Sequence, residues 1–458
     1  MFEKLWRTAK QPLSRRRLLQ IAAAFTGVGL GAKWLLDQRV EVGSVLDMSS
    51  HGGNWAPASG NVIDVREFKK NMTVEALNET AEHYFASVKN WDGPITKPLA
   101  SIEGAPALLN NFAHVMNGLN LLPGMRVLDF GAGTCWASRW LTQLGLEVIA
   151  LDVSATALKM GQMLYARLPV IGERPAPRFL LFDGHRIDLP DASVDRILCL
   201  DTFHHLLNPD EVLREMSRIL VPGGIAGFSE PGPAHSRSAQ SQYEMRNFKV
   251  LEDDIDIHQI WAWAQAAGFM RIRIGVFAPH TYLLGLPEFD EYLEGGAPNA
   301  HFAETVRASM HNQRLFFLQK RGPLSVRDSR SRAGLAGKLG VNLESATVKE
   351  GTPLTARVVA TNAGQAQWLP AAAKRGAVLF GCHLLDASSR MLDIDYFRHP
   401  LTPGDGRAIQ SGESVQLDIR IPAPARGTYV LECDLLSEAV GWFAQFGSDP
   451  VRLKIDVI

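Results

Sequence analysis

Between residues 126 and 319, short apolar runs recur at intervals, and the stretches separating them carry apolar positions three and four apart. The runs fall near 126–130, 147–151, 178–182, 195–200, 224–229, 271–277 and 314–319. Each is short, rich in β-branched or aromatic residues and bounded by turn formers, which predicts buried strands. The intervening periodicity predicts helices near 136–144, 154–167, 209–219 and 257–267. Strand–helix alternation of this kind builds a parallel sheet with helices on both faces. Upstream, Leu77, Ala81, Tyr84, Phe85 and Val88 form one helical stripe, and Leu108, Leu109, Phe112, Val115, Met116 and Leu119 form another that starts near Ser101. The break between them is Asn90-Trp91-Asp92-Gly93-Pro94, and Ser49 to Asn61 is a loop by composition.

The period changes towards the C-terminus. Leu354–Ala360, Val415–Ile421 and Val451–Val457 alternate apolar and polar residues at period two. Half-buried strands show that pattern, and several of them between 341 and 458 predict a β-sandwich. The charged, small-residue stretch from Pro323 (SVRDSRSRAGLAGKLG) is expected to be a linker over 323–340.

Composition adds little beyond confirming a folded chain. Of 458 residues 46% are hydrophobic, and the net charge is −1. Near neutrality gives no reason to expect a nucleic-acid partner. The four cysteines, Cys135, Cys199, Cys382 and Cys433, are scattered and read as buried thiols. No metal site is expected from them, or from Asp254-Ile255-Asp256, which suits a helix N-terminus equally well.

Residues 1–48 have a different character. Ser14-Arg15-Arg16-Arg17-Leu18-Leu19-Gln20 resembles a twin-arginine signal and precedes the apolar run Ile21–Leu36. Sixteen helical residues reach only about 24 Å, short of the roughly 30 Å hydrocarbon core. The expectation is weak membrane association through residues 18–36 of a cytoplasmic protein tethered at the inner membrane face. The twin-arginine pattern leaves export open.

The candidate chemistry gathers at Val127-Leu128-Asp129-Phe130-Gly131-Ala132-Gly133-Thr134-Cys135. A strand ends in an acid, two glycines one residue apart allow a tight turn and close approach of a ligand, and a helix follows. A second run, Val148-Ile149-Ala150-Leu151, ends in Asp152, and a third ends in Asp183-Gly184. Asp201 and Glu230 close the next two strands, so five acids are expected along one rim of the sheet. The ordered set VLDFGAGTC, VIALDVS, FLLFDGHRIDLPDASVDRILCLDTFHHL and LREMSRILVPGGIAGFSEPG resembles the class I S-adenosylmethionine-dependent methyltransferases that act on small molecules.

The resemblance implies an α/β chain. A helical cap (49–122) precedes a Rossmann-like methyltransferase fold with a seven-stranded, mostly parallel sheet (123–322), whose last strand inserts antiparallel. An all-β, immunoglobulin-like sandwich follows. It implies S-adenosyl-L-methionine as cofactor. Asp129, Gly131 and Gly133 would shape the pocket for its methionine part, Asp152 would meet the ribose, Asp183 and Gly184 the adenine, and Asp201 would line the same rim. Cys135 departs from the family, which often has a third glycine there. The leading helices would lie over the cofactor, with Tyr84 and Trp91 as stacking platforms or packing aromatics.

A hydroxyl acceptor needs its proton removed, and histidine is the usual base. The candidates are His204, His205 and Glu230, with His235 in the adjoining loop. The expected reaction is methyl transfer to a small-molecule acceptor, a sugar or glycan-precursor hydroxyl. The alternatives are N- or C-methylation of a metabolite or lipid-like acceptor, and a scaffold that binds the cofactor without turnover. The sugar expectation rests on the sandwich, where Trp368, Trp442 and Phe443 could stack on sugar rings or, for Trp442, fill the core. Nothing in the sequence speaks to oligomeric state.

Overall fold

The computed structural model describes residues 62–458 apart from 279, 324–326, 374 and 403–405. The signal-like N-terminal segment, with residues 18–36, and the whole loop expected at 49–61 lie outside the described residues. Among the described residues no helix is long and apolar enough to cross a membrane.

The cap consists of α1 (Val65–Lys70), α2 (Val74–Ser87), α3 (Asp92–Ile95) and α4 (Ala105–Leu119). Thr73 starts α2 by accepting the Ala76 N–H. The expected break at Asn90–Pro94 holds one short turn of helix, α3, whose Ile95 is buried. Asn120 ends α4 in the left-handed conformation, a role asparagine fills more readily than most residues.

The core follows as β1 (Arg126–Phe130), α5 (Trp136–Gln143), β2 (Glu147–Asp152), α6 (Ala155–Arg167), β3 (Arg178–Leu181), β4 (Val194–Leu200), α7 (Pro209–Ile219) and β5 (Leu220–Pro231). It continues through α8 (Ala239–Asn247), α9 (Ile257–Ala266), β6 (Phe269–Gly275), α10 (Leu286–Leu293), α11 (Ala297–Asn312) and β7 (Gln313–Lys320). The sheet order is β3-β2-β1-β4-β5-β7-β6. β3 to β5 run parallel, and β7 inserts antiparallel between β5 and β6. β1 is therefore central, flanked by β2 and β4, and Val127, Leu128 and Phe130 are buried. Burying each such side chain is worth about 1.5–3 kcal/mol.

The C-terminal region holds two further sheets. One has the order β13-β10-β8 and the other β12-β11-β14-β16-β9. Their strands are β8 (Gly337–Leu343), β9 (Thr347–Val348), β10 (Leu354–Asn362), β11 (Val378–Asp386), β12 (Met391–Pro400), β13 (Ser414–Ile421), β14 (Gly427–Ser437), β15 (Gly441–Trp442) and β16 (Val451–Val457). Ala356 and Val358 of β10, Ile419 of β13, Phe380 of β11 and Leu431 of β14 share one buried cluster, so the two sheets face each other across a common core.

Three expectations need correction here. Of the stretch 323–340, expected to be a linker, residues 328–340 are built into the fold. Ser329 is buried and donates to the Gly376 carbonyl, Asp328 bridges to Gln367, and Gly337–Leu343 is a strand. The polar composition misled because those polar groups meet backbone partners inside the fold. Trp368 and Phe443 are not sugar platforms. Both are fully buried and meet edge to face at 5.3 Å. Trp442 is half-buried against His383 and lies over Gly381, where a Cβ would meet its ring at 2.5 Å.

The packing of α4 on the sheet yields a test. A Cβ on Gly118 would lie 2.0 Å from the Phe317 ring of β7. Helix propensity alone favours alanine over glycine by about 1 kcal/mol. We expect Gly118→Ala to reverse that sign and destabilise by about 1–3 kcal/mol through overpacking, measured by urea unfolding. A stabilised variant would show that α4 does not sit this close to β7.

Candidate active site

The loop Gly131–Cys135 leaves the carboxyl end of β1, where open α/β sheets bind their ligands. Gly131 and Gly133 take φ values of +69° and +51°, the region where a side chain is strained. A Cβ on Gly131 would also fall 2.1 Å from Thr202. The loop is tied to β2 through backbone bonds from Gly131 and Ala132 to the Leu151 carbonyl, 2.9 Å each. Asp152, at the end of β2, accepts the Gly133 N–H at 2.7 Å and the Ser154 N–H at 2.8 Å.

Cys135 shows why a glycine suits its position. It is left-handed, with φ +60°, and fully buried. That conformation costs a non-glycine residue about 1–2 kcal/mol. Its side chain fits because the facing residue in α6 is Gly161, whose Cβ would lie 2.3 Å from the Cys135 sulfur.

The acids divide into classes. Asp129 is buried and accepts the Ser138 hydroxyl at 2.6 Å. Burial outweighs that bond and pushes its carboxyl up to about 6. Asp152 is likewise raised by burial. Asp201 is left-handed at φ +48° and is raised to about 7 by burial and by Glu230, with His235 and Lys97 opposing. Asp183 is exposed, and its Oδ1 accepts the His185 and Arg186 N–H groups of its own turn. Gly184 is buried beneath Val74 and Asn78 of α2. The row of five acids is thus uneven: some are buried and one holds a surface turn.

Helix α2 lies across this edge. Asn78 donates to the Asp183 carbonyl at 2.7 Å, and Glu82 accepts the Ser154 hydroxyl at 2.6 Å and the Thr156 N–H at 3.0 Å. Sequence reasoning missed Glu82, which sits 72 positions from Ser154 and carries no local signal. Tyr84 packs edge-on to Phe85 and Phe248, and Trp91 packs on the cluster of Ile95, Met160 and Leu164.

Residues 128–228 match the family model described as a methyltransferase domain. That segment is a methyltransferase domain, with S-adenosylmethionine as its cofactor. It is 33% identical over 140 residues to a demethylmenaquinone methyltransferase of Renibacterium salmoninarum, covering 30% of this chain and 55% of that one. It is 30% identical to the enzyme of the same name from Paenarthrobacter aurescens, covering 30% and 52%. The chain spans about half the length of the curated relatives it matches. Among solved structures it is similar to an S-adenosylmethionine-dependent methyltransferase from Mesorhizobium loti, with TM-score 0.35, 17% identity, and 48% and 100% of the two chains covered.

The methyltransferase domain's residues fit a cationic cofactor. Asp129 and Asp152 are buried close enough to raise one of them by mutual repulsion, and a sulfonium beside them would offset that charge. Asp129 and Asp152 would border it, and the glycines would let its chain approach the backbone.

On the acceptor side, β4 ends in a short 3₁₀ turn, Phe203–His205. Glu230, at the end of β5, is fully buried. Its Oε1 accepts the Thr202 and Phe203 N–H groups at 3.1 and 3.0 Å, and its Oε2 accepts the His204 N–H at 3.3 Å. The His204 Nδ1 donates to that same Oε2 at 2.8 Å. Glu230 therefore does not face the open rim as expected. Its oxygens are occupied in shaping the turn, which makes it a positioning residue. His204 is buried as well, and burial, with His205 beside it, pushes its imidazole well below the usual range.

Glu252, absent from the sequence-based candidates, completes the cluster. Its Oε2 lies 2.6 Å from His235 Nε2 and 3.9 Å from His204 Nε2, and its Oε1 lies 3.6 Å from His205 Nδ1. Burial would raise its carboxyl, but His205, His235 and His204 outweigh that and hold it at about 2. The Asp253 N–H bonds the His204 carbonyl at 3.0 Å, and the Lys69 ammonium of α1 holds Asp253 at 2.6 Å. Asp254 accepts the Ser236 N–H and hydroxyl, and Asp256 caps α9. The acidic run is therefore structural, and only the preceding Glu252 enters the cluster.

Two predictions follow from the cofactor side. Gly161→Ala should push Cys135 and loosen the loop, lowering S-adenosylmethionine affinity at least tenfold in calorimetry. Adding Cys135→Gly should restore most of it, and no rescue would break the proposed link. The second concerns Asp129, whose folded pKa lies above the unfolded value. Its contribution to stability is therefore present at low pH and falls as pH rises towards about 6. A bound cation favours the ionised form. We expect S-adenosylmethionine to raise the melting temperature more at about pH 8 than at about pH 5, and Asp129→Asn to flatten the difference. Equal shifts at both pH values in the unsubstituted chain would exclude this coupling.

Proposed function

We propose that this chain methylates a hydroxyl of a small-molecule acceptor, with a sugar or glycan precursor as the favoured class. S-adenosylmethionine, when bound, supplies the methyl group on an electrophilic sulfonium. The observation that carries the hydroxyl assignment is the His204, His205, His235 and Glu252 cluster beside the cofactor loop. A neutral amine attacks without losing a proton first, whereas a hydroxyl needs acidification or a base. Three imidazoles and a carboxylate at the acceptor side suit the hydroxyl.

Within the cluster the side chains have separate tasks. Thr202 packs against Gly131 and joins the turn to the cofactor loop. His204 is locked by Glu230. The His205 side chain retains 35% exposure, so it is the histidine an acceptor can reach. Its Nδ1 donates to the Leu251 carbonyl at 2.6 Å, which leaves Nε2 with a lone pair. Placing an acceptor against the methyl group supplies the remainder of the catalysis.

Support for a sugar comes from the appended two-sheet region, where Trp442 and the strand-borne Phe397 and His399 retain some exposure. A second reading, methylation of an apolar ring acceptor, is favoured by the names of the similar proteins and by an apolar face on the domain. Leu283, Leu286 and Leu293 are largely exposed on and just before α10, with Phe289 beside them. Release of S-adenosylhomocysteine should be measured against a sugar panel and a hydroxylated-ring panel. We expect turnover with at least one class, and a fall of at least tenfold in kcat for His205→Ala with cofactor affinity unchanged. Cofactor binding with no turnover on either panel would favour a scaffold.

A further inference from the structure

We propose that His204, His205 and Glu252 form a binding site for one divalent first-row transition ion, of which Zn²⁺ is the type. One ring nitrogen from each histidine and one Glu252 oxygen lie within 4.8 Å of one another. Two imidazoles and a carboxylate are a common donor set for such ions, and catalytic sites of this kind keep a further position open.

Proton assignment strengthens the case. Glu230 faces three backbone N–H groups and acts as an acceptor, so the His204 Nδ1 carries the proton. The His204 Nε2 then presents a lone pair towards a Glu252 oxygen 3.9 Å away. Both atoms are acceptors, so a cation placed between them would be attracted by each. His205 differs: its Nδ1 lies 3.6 Å from a Glu252 oxygen and donates to the Leu251 carbonyl, so Nε2 is the nitrogen left to ligate and reaches the ion by a turn of the ring. Histidine ligands in proteins almost always donate their second nitrogen to a carboxylate or a backbone carbonyl. Glu230 and Leu251 supply one of each.

The spacing is close to what an ion requires. Ligands at about 2.0–2.1 Å from a tetrahedral ion stand roughly 3.3 Å apart. The His204–Glu252 separation of 3.9 Å would close by a small rotation of either side chain. His235, bonded to Glu252 at 2.6 Å, and Ser241, at 3.3 Å from the same oxygen, would orient the carboxylate. His204 and Glu252 are buried while His205 is partly exposed, so the open position would face the acceptor. With the ion bound, His205 Nε2 is a ligand and no longer a base, and acidifying the hydroxyl passes to the ion; that part rests on the function proposed above, and the ion's binding does not.

The test uses the tag-free full chain, stripped with a chelator and dialysed against Zn²⁺ or Co²⁺. Mass spectrometry should find about one metal ion per chain, and the Co²⁺ form should show visible absorption of a low-symmetry nitrogen and oxygen site. Glu252→Gln and His205→Gln should each lower retained metal at least tenfold, whereas Asp253→Asn should retain it. S-adenosylhomocysteine calorimetry on every variant reports folding and the cofactor site separately. No metal retained by the unsubstituted chain overturns the proposal, as does full retention by both ligand variants. Intact S-adenosylhomocysteine binding in that case leaves the methyltransferase reading standing.

Discussion

The carboxylate of Glu230 is the constraint on which the site depends. It is fully buried, yet three consecutive backbone N–H groups and one imidazole converge on it. An ion in such a place is tolerated only because its hydrogen-bonding capacity is met. The result is a turn that can take few other shapes. Thr202 is held against Gly131 on the cofactor side, while His204 and His205 are turned towards Glu252 on the acceptor side. One side chain from β5 thereby sets the relation between two halves of a site whose parts come from β1, β4 and the segment before α9.

The cap closes the arrangement from outside the sheet. Glu82 of α2 holds the start of α6, Asn78 of α2 holds the turn after β3, and Lys69 of α1 holds the segment that carries Glu252. Apolar packing accompanies these bonds: Phe85, Val88 and Trp91 lie against Met160 and Leu164, and Phe112, Val115 and Leu119 of α4 are buried with Phe317 of the sheet. In the sheet itself Phe228 and Phe316 are fully buried, and their rings stack at 4.6 Å.

The C-terminal sheets show how composition and burial part company. Period-two alternation along β10 appears directly as alternating burial of Leu354, Ala356, Val358 and Ala360. Aromatic residues beside turn formers gave a different impression. Trp368 and Phe443 fill the space between the two sheets, and the indole Nε1 of Trp368 lacks a partner inside it. Large rings stabilise a two-sheet core by area, so an aromatic near a loop is as readily core as surface.

Order along the chain was legible without coordinates wherever the physics is local. Hydrophobic period located the strands from Arg126 to Lys320, and the Gly131 and Gly133 pair marked a backbone that must turn where a Cβ would clash. Acids closing successive strands were found because strand ends are visible in sequence. What each acid does was settled only by its surroundings in three dimensions. Asp183 binds its own turn, Glu230 is consumed by backbone donors, and Glu252, with no motif around it, meets three histidines from two other segments. Burial and partner geometry are sums over residues far apart in the chain, and no local pattern encodes them.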